Sequence, residues 1–196
     1  MTDGAVRSQD ATPAQPRAAH DGKGDIPFLF DVSSLDLTRV VRTKADIEKY
    51  IPHRGVMTLI DEIRWESPDL TRCVAVKHIR DDEFWVPGHF PGKPMYPGVF
   101  MIESGAQATC YLYMIRQESP KLVAFLRLHE VAFRHMVVPG DTLYILVQEL
   151  KMGRRQFESR IQGIVNLEKV CFETTISGMS MPMPAGGDTT PFGPRA

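Results

Sequence analysis

Residues 97–115, PGVFMIESGAQATCYLYMI, contain a single charged side chain, Glu103. All other residues in the stretch are apolar, small or neutral, and a helix that is apolar on nearly all sides is buried. Proline is favourable in the first turn of a helix, so the segment predicts a helix from Pro97 to about Gln117. The polar residues within it fit a buried helix better than a membrane span. We therefore expect this helix at the centre of the fold.

Segments rich in branched and aromatic residues flank this helix and predict strands. The predicted strands are Met57–Trp65, Leu70–Ile79, Leu122–Phe133, Thr142–Met152, Arg155–Val165 and Val170–Ser177. Short turns join the last three, which predicts an antiparallel meander. A short helix over Lys44–Tyr50, with Thr43 as its cap, precedes the first strand. Together these elements predict an α+β fold, with an antiparallel sheet wrapped around one long helix.

The 196 residues, of which 43% are hydrophobic, suit one globular domain with extensions at both ends. Residues 1–24 and 179–196 are rich in glycine and proline and poor in large apolar side chains, which predicts flexible tails. Residues 25–40 are apolar enough to dock on the domain, but their pattern does not define a structure. We therefore assign the domain to residues 41–178.

Charge and cysteine content exclude several classes of protein. The net charge of -1 disfavours a nucleic-acid binder. The cysteines Cys73, Cys110 and Cys171 are scattered, without a Cys-x-x-Cys pair, which disfavours both a disulfide framework and a cysteine zinc site. No apolar signal segment is visible at the N-terminus. We expect a cytoplasmic protein without a metal or cofactor.

Glycine and proline occupy seven of the twelve positions from 87 to 98. Such a run can form neither a helix nor an inner strand, because proline lacks an N–H and glycine adds backbone entropy. His89 lies inside this predicted loop, where a rigidly held imidazole can accept a proton near neutral pH. A loop histidine can equally be a surface residue. His53, in Ile-Pro-His-Arg, is interpreted as a structural turn residue.

Glu103 is the second candidate, since a carboxylate on a buried helix is costly unless it is paired or neutralised. Burial raises a carboxyl pKa, which suits a general acid working near neutral pH. From its position alone, Glu103 could also cap backbone groups or pair with an arginine. The amides of Gly98 and Val99 at the helix start are suited to bind a developing negative charge.

Together these residues resemble the (3R)-hydroxyacyl-acyl-carrier-protein dehydratases. The string Gly88-His89-Phe90-Pro91-Gly92-Lys93-Pro94-Met95-Tyr96-Pro97-Gly98-Val99, followed by Glu103-Ser104-Gly105-Ala106-Gln107-Ala108, is similar to their signature. Ile51-Pro52-His53-Arg54 with Leu59-Ile60-Asp61, and Val137-Val138-Pro139-Gly140-Asp141, are similar to further family motifs. The resemblance covers about residues 40–178 and implies a hot-dog fold.

The resemblance also implies the reaction and its residues. His89 would remove the C2 proton of the acyl thioester, while Glu103 would protonate the departing C3 hydroxyl. The two would meet across a homodimer interface, and further assembly into a trimer of dimers stays open. A glutamate at position 103 resembles the branch that dehydrates without isomerising. The sequence departs from the family at Gly105, usually larger, and at His129, commonly acidic.

The implied partner is acyl carrier protein, an acidic protein that a cationic rim would steer. Candidate residues are Arg134, Lys151, Arg154 and Arg155, which could equally form a solvated hairpin tip. Two other functions stay open: a hot-dog acyl thioesterase, and a non-catalytic protein that binds the acyl carrier. The intact loop and glutamate argue against both.

Overall fold

One seven-stranded antiparallel sheet and one long helix dominate the computed structural model, which describes residues 26–119 and 121–182. The sheet order is β1-β2-β3-β5-β6-β7-β4. In chain order the elements are β1 (Arg42–Thr43), α1 (Lys44–Ile47), a 3-10 turn (Gly55–Met57), β2 (Glu62–Glu66), β3 (Arg72–His78), α2 (Gly98–Met114), β4 (Lys121–Phe133), β5 (Thr142–Met152), β6 (Gln156–Val165) and β7 (Lys169–Pro182). The predicted α+β class and the β5–β6–β7 meander are confirmed.

Helix α2 packs against the inner face of the sheet, and its side chains from Ser104 to Met114 are buried. The approach is close at Gly105, where a Cβ atom would lie 2.8 Å from Ile161 Cγ2. Glycine permits this distance because it lacks that atom. The space that a larger residue would occupy at position 105 is therefore filled by Ile161. Within the residues described, no helix has both the length and the apolarity needed to cross a membrane.

The segment before β2 differs from its prediction. The strand predicted at Met57–Trp65 starts only at Glu62, after the 3-10 turn. The amide of Leu59 and the carbonyl of Met57 bond to the Gln107 side chain instead of to a neighbouring strand. A side chain of α2 thus satisfies the backbone groups that a strand would have paired. Helix α1 has the predicted Thr43 cap but ends earlier than predicted, at Ile47.

The C-terminal boundary predicted at residue 178 is wrong, because β7 continues to Pro182. Residues 179–182 pair with the first residues of β4, for example Ser180 with Val123. Ser180 also accepts a hydrogen bond from the Tyr113 hydroxyl (2.7 Å). Backbone pairing does not require the apolar composition that was used to draw the boundary. The remainder of both predicted tails, 1–24 and 183–196, lies outside the described residues.

The extension before β1 packs on the outer face of the sheet. Apolar side chains from residues 26–37 form a cluster with residues of β2, β3, β5, β6 and β7. The main contributors from the sheet are Trp65, Val74, Tyr144, Leu146, Ile164 and Val170. Gln162 accepts a hydrogen bond from the Leu29 amide (2.8 Å) and donates one to the Pro27 carbonyl (3.2 Å). This segment, whose structure the sequence left open, is a second apolar layer.

Candidate active site

His89 lies in the predicted loop, whose backbone is closed by its own hydrogen bonds. The His89 amide donates to the Trp85 carbonyl (2.9 Å), and the Met95 amide donates to the His89 carbonyl (2.8 Å). Between them, the backbones of Phe90 and Lys93 bond to each other in both directions. Because both flanks are tied, the loop holds His89 in one place ahead of α2.

The imidazole of His89 is also oriented. Its Nδ1 lies 2.8 Å from the Met95 carbonyl oxygen, which can only accept a hydrogen bond. Nδ1 therefore carries the proton of the neutral ring, and Nε2 keeps a free lone pair. The ring stacks on Phe90 with centroids 4.1 Å apart. This arrangement presents Nε2 as a base.

Glu103 lies in the second turn of α2, and its side chain is 22% exposed. Its Oε1 accepts a hydrogen bond from Gln107 Nε2 (2.9 Å) and lies 3.2 Å from His53 Nε2. Within the described part of the chain, no hydrogen bond to Oε2 is present. One carboxyl oxygen is thus held by two neighbours while the other is left for a ligand.

The expected direction of the Glu103 pKa shift is wrong for the single chain. Burial does raise the pKa, but the hydrogen bonds from His53 and Gln107 and the electrostatic interaction with His53 outweigh it. The net shift of the Glu103 pKa is downward, which favours the carboxylate. The sequence revealed the burial but not the two donors.

Gln107 connects Glu103 to the chain before β2. Its amide nitrogen donates to both Glu103 Oε1 and the Met57 carbonyl, and its oxygen accepts from the Leu59 amide. The side chain is fully buried, so these bonds satisfy a group that would otherwise be costly. Gln107 therefore fixes Glu103 relative to the 57–59 segment.

The first amides of α2 are at an open end of the helix. The Pro97 carbonyl accepts from the Phe100 and Met101 amides, and no side chain of the described residues caps the helix. A Cβ atom at Gly98 would lie 2.9 Å from the Phe133 ring, so glycine lets that ring cover the helix start. Val99 is 68% exposed. The amides at positions 98 and 99 lie in the first turn of α2, where the helix itself provides no acceptor for them.

Within one chain, the structure does not bring His89 and Glu103 into hydrogen-bonding contact: their recorded partners are Met95 for the first, and His53 and Gln107 for the second. Several large apolar side chains are exposed in the segments around His89 and Val99, in the 3-10 turn, and on or just after strand β4. They are Val56, Met57, Phe90, Val99, Phe125, Leu128, Phe133 and Met136. Strand β4 is also the last strand of the sheet, so its outer edge has no strand partner among the described residues.

The candidate carrier-binding residues fall into separate places. Lys151 lines a groove of about 790 Å³ with His129, while Arg154 and Arg155 line a neighbouring groove at the β5–β6 turn. Arg134 follows the far end of β4 and pairs with Glu173. The single chain therefore does not bring Arg134 to the hairpin.

Three features of the site were missed from the sequence. His53, interpreted as a turn residue, contacts Glu103; the Met95 carbonyl sets the His89 tautomer; and the Phe133 ring covers Gly98. The available signal for His53 was its place in a motif that the resemblance already included. No local pattern pointed to Met95 or Phe133, since both act through long-range or main-chain contacts.

The sequence of this chain is similar to known proteins. A family model described as a FabA-like domain matches residues 51–173. The 3-hydroxyacyl-(acyl-carrier-protein) dehydratase FabZ of Acetivibrio thermocellus is 36% identical over 131 residues, covering 64% of this chain and 89% of the relative. The same enzyme of Koribacter versatilis is 35% identical over 143 residues, covering 71% and 90%.

A solved structure supports the fold. The dehydratase heterocomplex ApeI:P from Xenorhabdus doucetiae matches with a TM-score of 0.61 and 18% identity, covering 69% of this chain and 91% of the matched chain. The family match begins at residue 51, so the outer-face segment 26–37 lies outside it.

Proposed function

The chain belongs to the FabA-like family, and from this we propose that it dehydrates (3R)-3-hydroxyacyl-acyl-carrier-protein to the trans-2-enoyl thioester in fatty-acid or related lipid biosynthesis. The observation that carries the proposal is the pair of polar groups beside the start of α2. Among the described residues, neither Nε2 of His89 nor Oε2 of Glu103 has a hydrogen-bond partner. Relatives named as FabZ dehydratases share 35–36% identity over about nine-tenths of their length.

In this proposal His89 is the base. Its Nε2 takes the proton from C2 of the acyl thioester, and the Met95 carbonyl stabilises the resulting imidazolium through Nδ1–H. Negative charge then develops on the thioester oxygen. The amides of Gly98 and Val99 can donate to that oxygen, with the helix dipole adding to the stabilisation.

Glu103 is the acid. As the C3–O bond breaks, the carboxyl group gives its proton to the leaving hydroxyl, which departs as water, while the C2 electron pair forms the double bond. The carboxyl must be protonated for this step. A bound acyl chain that excludes water would raise the pKa of Glu103, because desolvation disfavours the carboxylate.

We further propose that each site is shared by two copies of the chain. Strand β4 is a 13-residue edge strand whose exposed side chains include Phe125, Leu128 and Phe133. An unpaired edge of this length is a template for pairing with a second chain. Two-fold pairing of β4 with the same strand of a second copy would satisfy the open backbone edge, and it would allow a site that combines His89 of one copy with Glu103 of the other.

Subunit mixing tests this arrangement. Inactive His89→Ala protein mixed with inactive Glu103→Ala protein should regain part of the activity after subunit exchange. One site of each heterodimer would then carry both intact residues, and the other site neither. If exchange is demonstrated by mass spectrometry and no activity returns, the shared site is wrong.

The same two-fold pairing suggests where the carrier protein docks. Antiparallel pairing of β4 places the start of one strand beside the end of the other, which brings Arg134 of one copy toward Arg154 and Arg155 of the second. With Lys151 these residues would form a basic surface for an acidic carrier protein. Replacing Arg154 and Arg155 by Ser should raise KM for the acyl carrier substrate and leave kcat unchanged. An unchanged KM would exclude them.

A single assay tests the reaction itself. Incubation with 3-hydroxyacyl carrier protein should yield the enoyl thioester, detected by its absorbance and by mass spectrometry. Release of free thiol would indicate a thioesterase instead, and complex formation without conversion would indicate a binding protein. We also propose a cytoplasmic location, supported by three buried cysteines that are not joined in disulfides.

A further inference from the structure

The His53 side chain reaches the proposed acid, Glu103, but is neither the acid nor the base of the proposed reaction. It approaches Glu103 from the segment between α1 and the 3-10 turn, with Nε2 3.2 Å from Oε1. Its side chain is 28% exposed, and its Nδ1 is fully buried without a hydrogen-bond partner in the described residues.

These contacts define which nitrogen carries the proton. If Nδ1 carried it, a donor would be buried without an acceptor, and the Nε2 lone pair would face a carboxyl oxygen. With the proton on Nε2, His53 donates to Glu103, and only a weak acceptor is left unpaired at Nδ1. The second state is favoured because an unsatisfied buried donor and a lone-pair repulsion are both avoided.

The backbone on either side holds His53 in place. The guanidinium of Arg54 donates to the carbonyls of Glu48, Ile51 and His53 itself. Ile51 is fully buried in the core. The backbone at position 53 is thus held independently of Glu103. A residue that orients another group has to be fixed in this way.

We propose that His53 is a positioning residue for Glu103: its Nε2–H, together with Gln107, holds Oε1 so that Oε2 faces the substrate and carries the reacting proton. This inference rests on the proposed dehydration. The two oxygens of a free carboxyl group exchange by rotation about the terminal bond. Two donors on one oxygen stop that exchange and leave a single geometry for proton transfer.

A purely structural role for His53 makes a different prediction. In that case the contact would only fill space beside Glu103, and its loss would change stability without changing the titration of the carboxyl group. A donor to the carboxylate lowers its pKa. Loss of His53 should therefore raise the pKa of Glu103, since burial would be less strongly opposed.

The other titratable groups around Glu103 stay in place in this experiment. In the shared site proposed above, one of them is His89 of the second copy, which is the same in the wild type and in the variant. Among the described residues of the same chain they are Cys110 on α2 and Tyr96 in the loop before it, and burial raises the pKa of both. Neither is charged near neutral pH. A shift in the titration of Glu103 on replacing His53 can therefore be assigned to His53.

Kinetics of His53 variants give the first test. His53→Ala should lower kcat for dehydration by about 10²-fold, the order expected for a misplaced catalytic group, with little change in KM. Because the acid must be protonated, a higher Glu103 pKa should move the alkaline limb of the pH profile to higher pH. His53→Gln, whose amide nitrogen can reach the same oxygen, should recover most of kcat.

His78→Ala is the matched control, since the His78 side chain is 44% exposed and its Nε2 lies 3.6 Å from Oε2 of a different carboxylate, Glu62. It should change neither kcat nor the alkaline limb. An unchanged kcat in His53→Ala would overturn the proposal. So would a loss of kcat that His53→Gln does not restore and that leaves the limb unmoved.

A carbon-13 NMR titration of the Glu103 carboxyl separates this inference from the proposed reaction. Its pKa should be higher in His53→Ala than in the wild type, whether or not the protein dehydrates the carrier substrate. The signal is assigned by its disappearance in Glu103→Gln. An equal pKa in both proteins would overturn the inference, while a raised pKa in a protein without dehydratase activity would overturn only the proposed function.

Discussion

The two faces of the central sheet are covered by different kinds of structure. On the inner face, α2 brings a partly buried polar network of Glu103, Gln107 and His53 to the sheet and the segment before it. On the outer face, residues 26–37 add an apolar layer that is joined to the sheet through the Gln162 side chain. The same strands therefore support a polar site on one side and a hydrophobic cover on the other.

This difference indicates how each face contributes. A buried carboxyl group adds little to stability, because its desolvation offsets its hydrogen bonds. Apolar burial adds stability in proportion to the area removed from water. Substitutions in the polar network on the inner face should therefore change rate far more than stability, and those in the apolar layer on the outer face should do the reverse.

The largest effect is expected at the proposed acid and base. His89→Ala and Glu103→Ala should each lower the dehydration rate by about 10²–10⁴-fold, as for loss of a general acid or base. This corresponds to roughly 3–5 kcal/mol of barrier at about 1.36 kcal/mol per tenfold change. Because both act on one transition state, the double variant should be little slower than the slower single one. Near-normal turnover in either single variant would contradict the assignment, with equal melting temperatures as the control.

Removal of residues 1–37 should have the converse effect. Losing the burial of even two of its apolar side chains costs about 3 kcal/mol or more, which lowers the melting temperature by about 6–12 °C for a chain of this size. Turnover per folded molecule should be unchanged, because the segment contacts the outer face. The matched control removes residues 1–24 alone and should alter neither quantity. An equal melting temperature for the long truncation would mean that the outer layer does not stabilise the domain.

A smaller effect is expected at the anchor of the outer segment. Gln162→Leu removes the two hydrogen bonds to Pro27 and Leu29 and should lower the free energy of unfolding by about 1–2 kcal/mol. Denaturant melts measure this loss, and Arg160→Gln, at an exposed position of the same strand, should show none. If Gln162→Leu also slowed turnover tenfold, the separation of the two faces would be wrong.

The smallest effect concerns stability at acid pH. Because the pKa of folded Glu103 lies below its usual 4.5, the carboxylate stabilises the fold above about that pH. This contribution is lost as the pH falls through the folded pKa. The wild type should therefore lose more stability on acidification than Glu103→Gln, measured by melting temperature between about pH 6 and 3. A steeper loss of stability in Glu103→Gln would mean that folding raises the pKa of Glu103 instead of lowering it.

Local sequence information predicted most of the elements and the elements on which His89 and Glu103 lie. The run of glycine and proline predicted a loop around His89, and the low charge of residues 97–115 predicted the buried helix that carries Glu103. Strand β5 has the predicted bounds, Thr142–Met152. A loop, helix or strand of this kind is predicted from the residues of one short segment, because its hydrophobic pattern and composition involve only neighbouring positions.

Contacts between segments that are distant along the chain could not be predicted from local pattern and composition. Residues 57–61 are apolar enough for a strand, yet the side chain of Gln107, about fifty positions away, bonds to the Met57 carbonyl and the Leu59 amide. The boundary at residue 178 was misplaced because β7 and β4 pair through their backbones, which composition does not report. Likewise, the apolar character of residues 26–37 suggested docking, but the surface that they cover is built from five strands.

The sequence by itself determined that a nearly uncharged helix must be buried, that a proline-rich loop precedes it, and that His89 and Glu103 lie on these two elements. Only the tertiary structure decided the environment of each group: the Met95 carbonyl that leaves His89 Nε2 free, and the donors that lower the pKa of Glu103. The physical reason is that a pKa and a tautomer depend on atoms within a few ångströms. Folding brings those atoms from segments that are far apart along the chain.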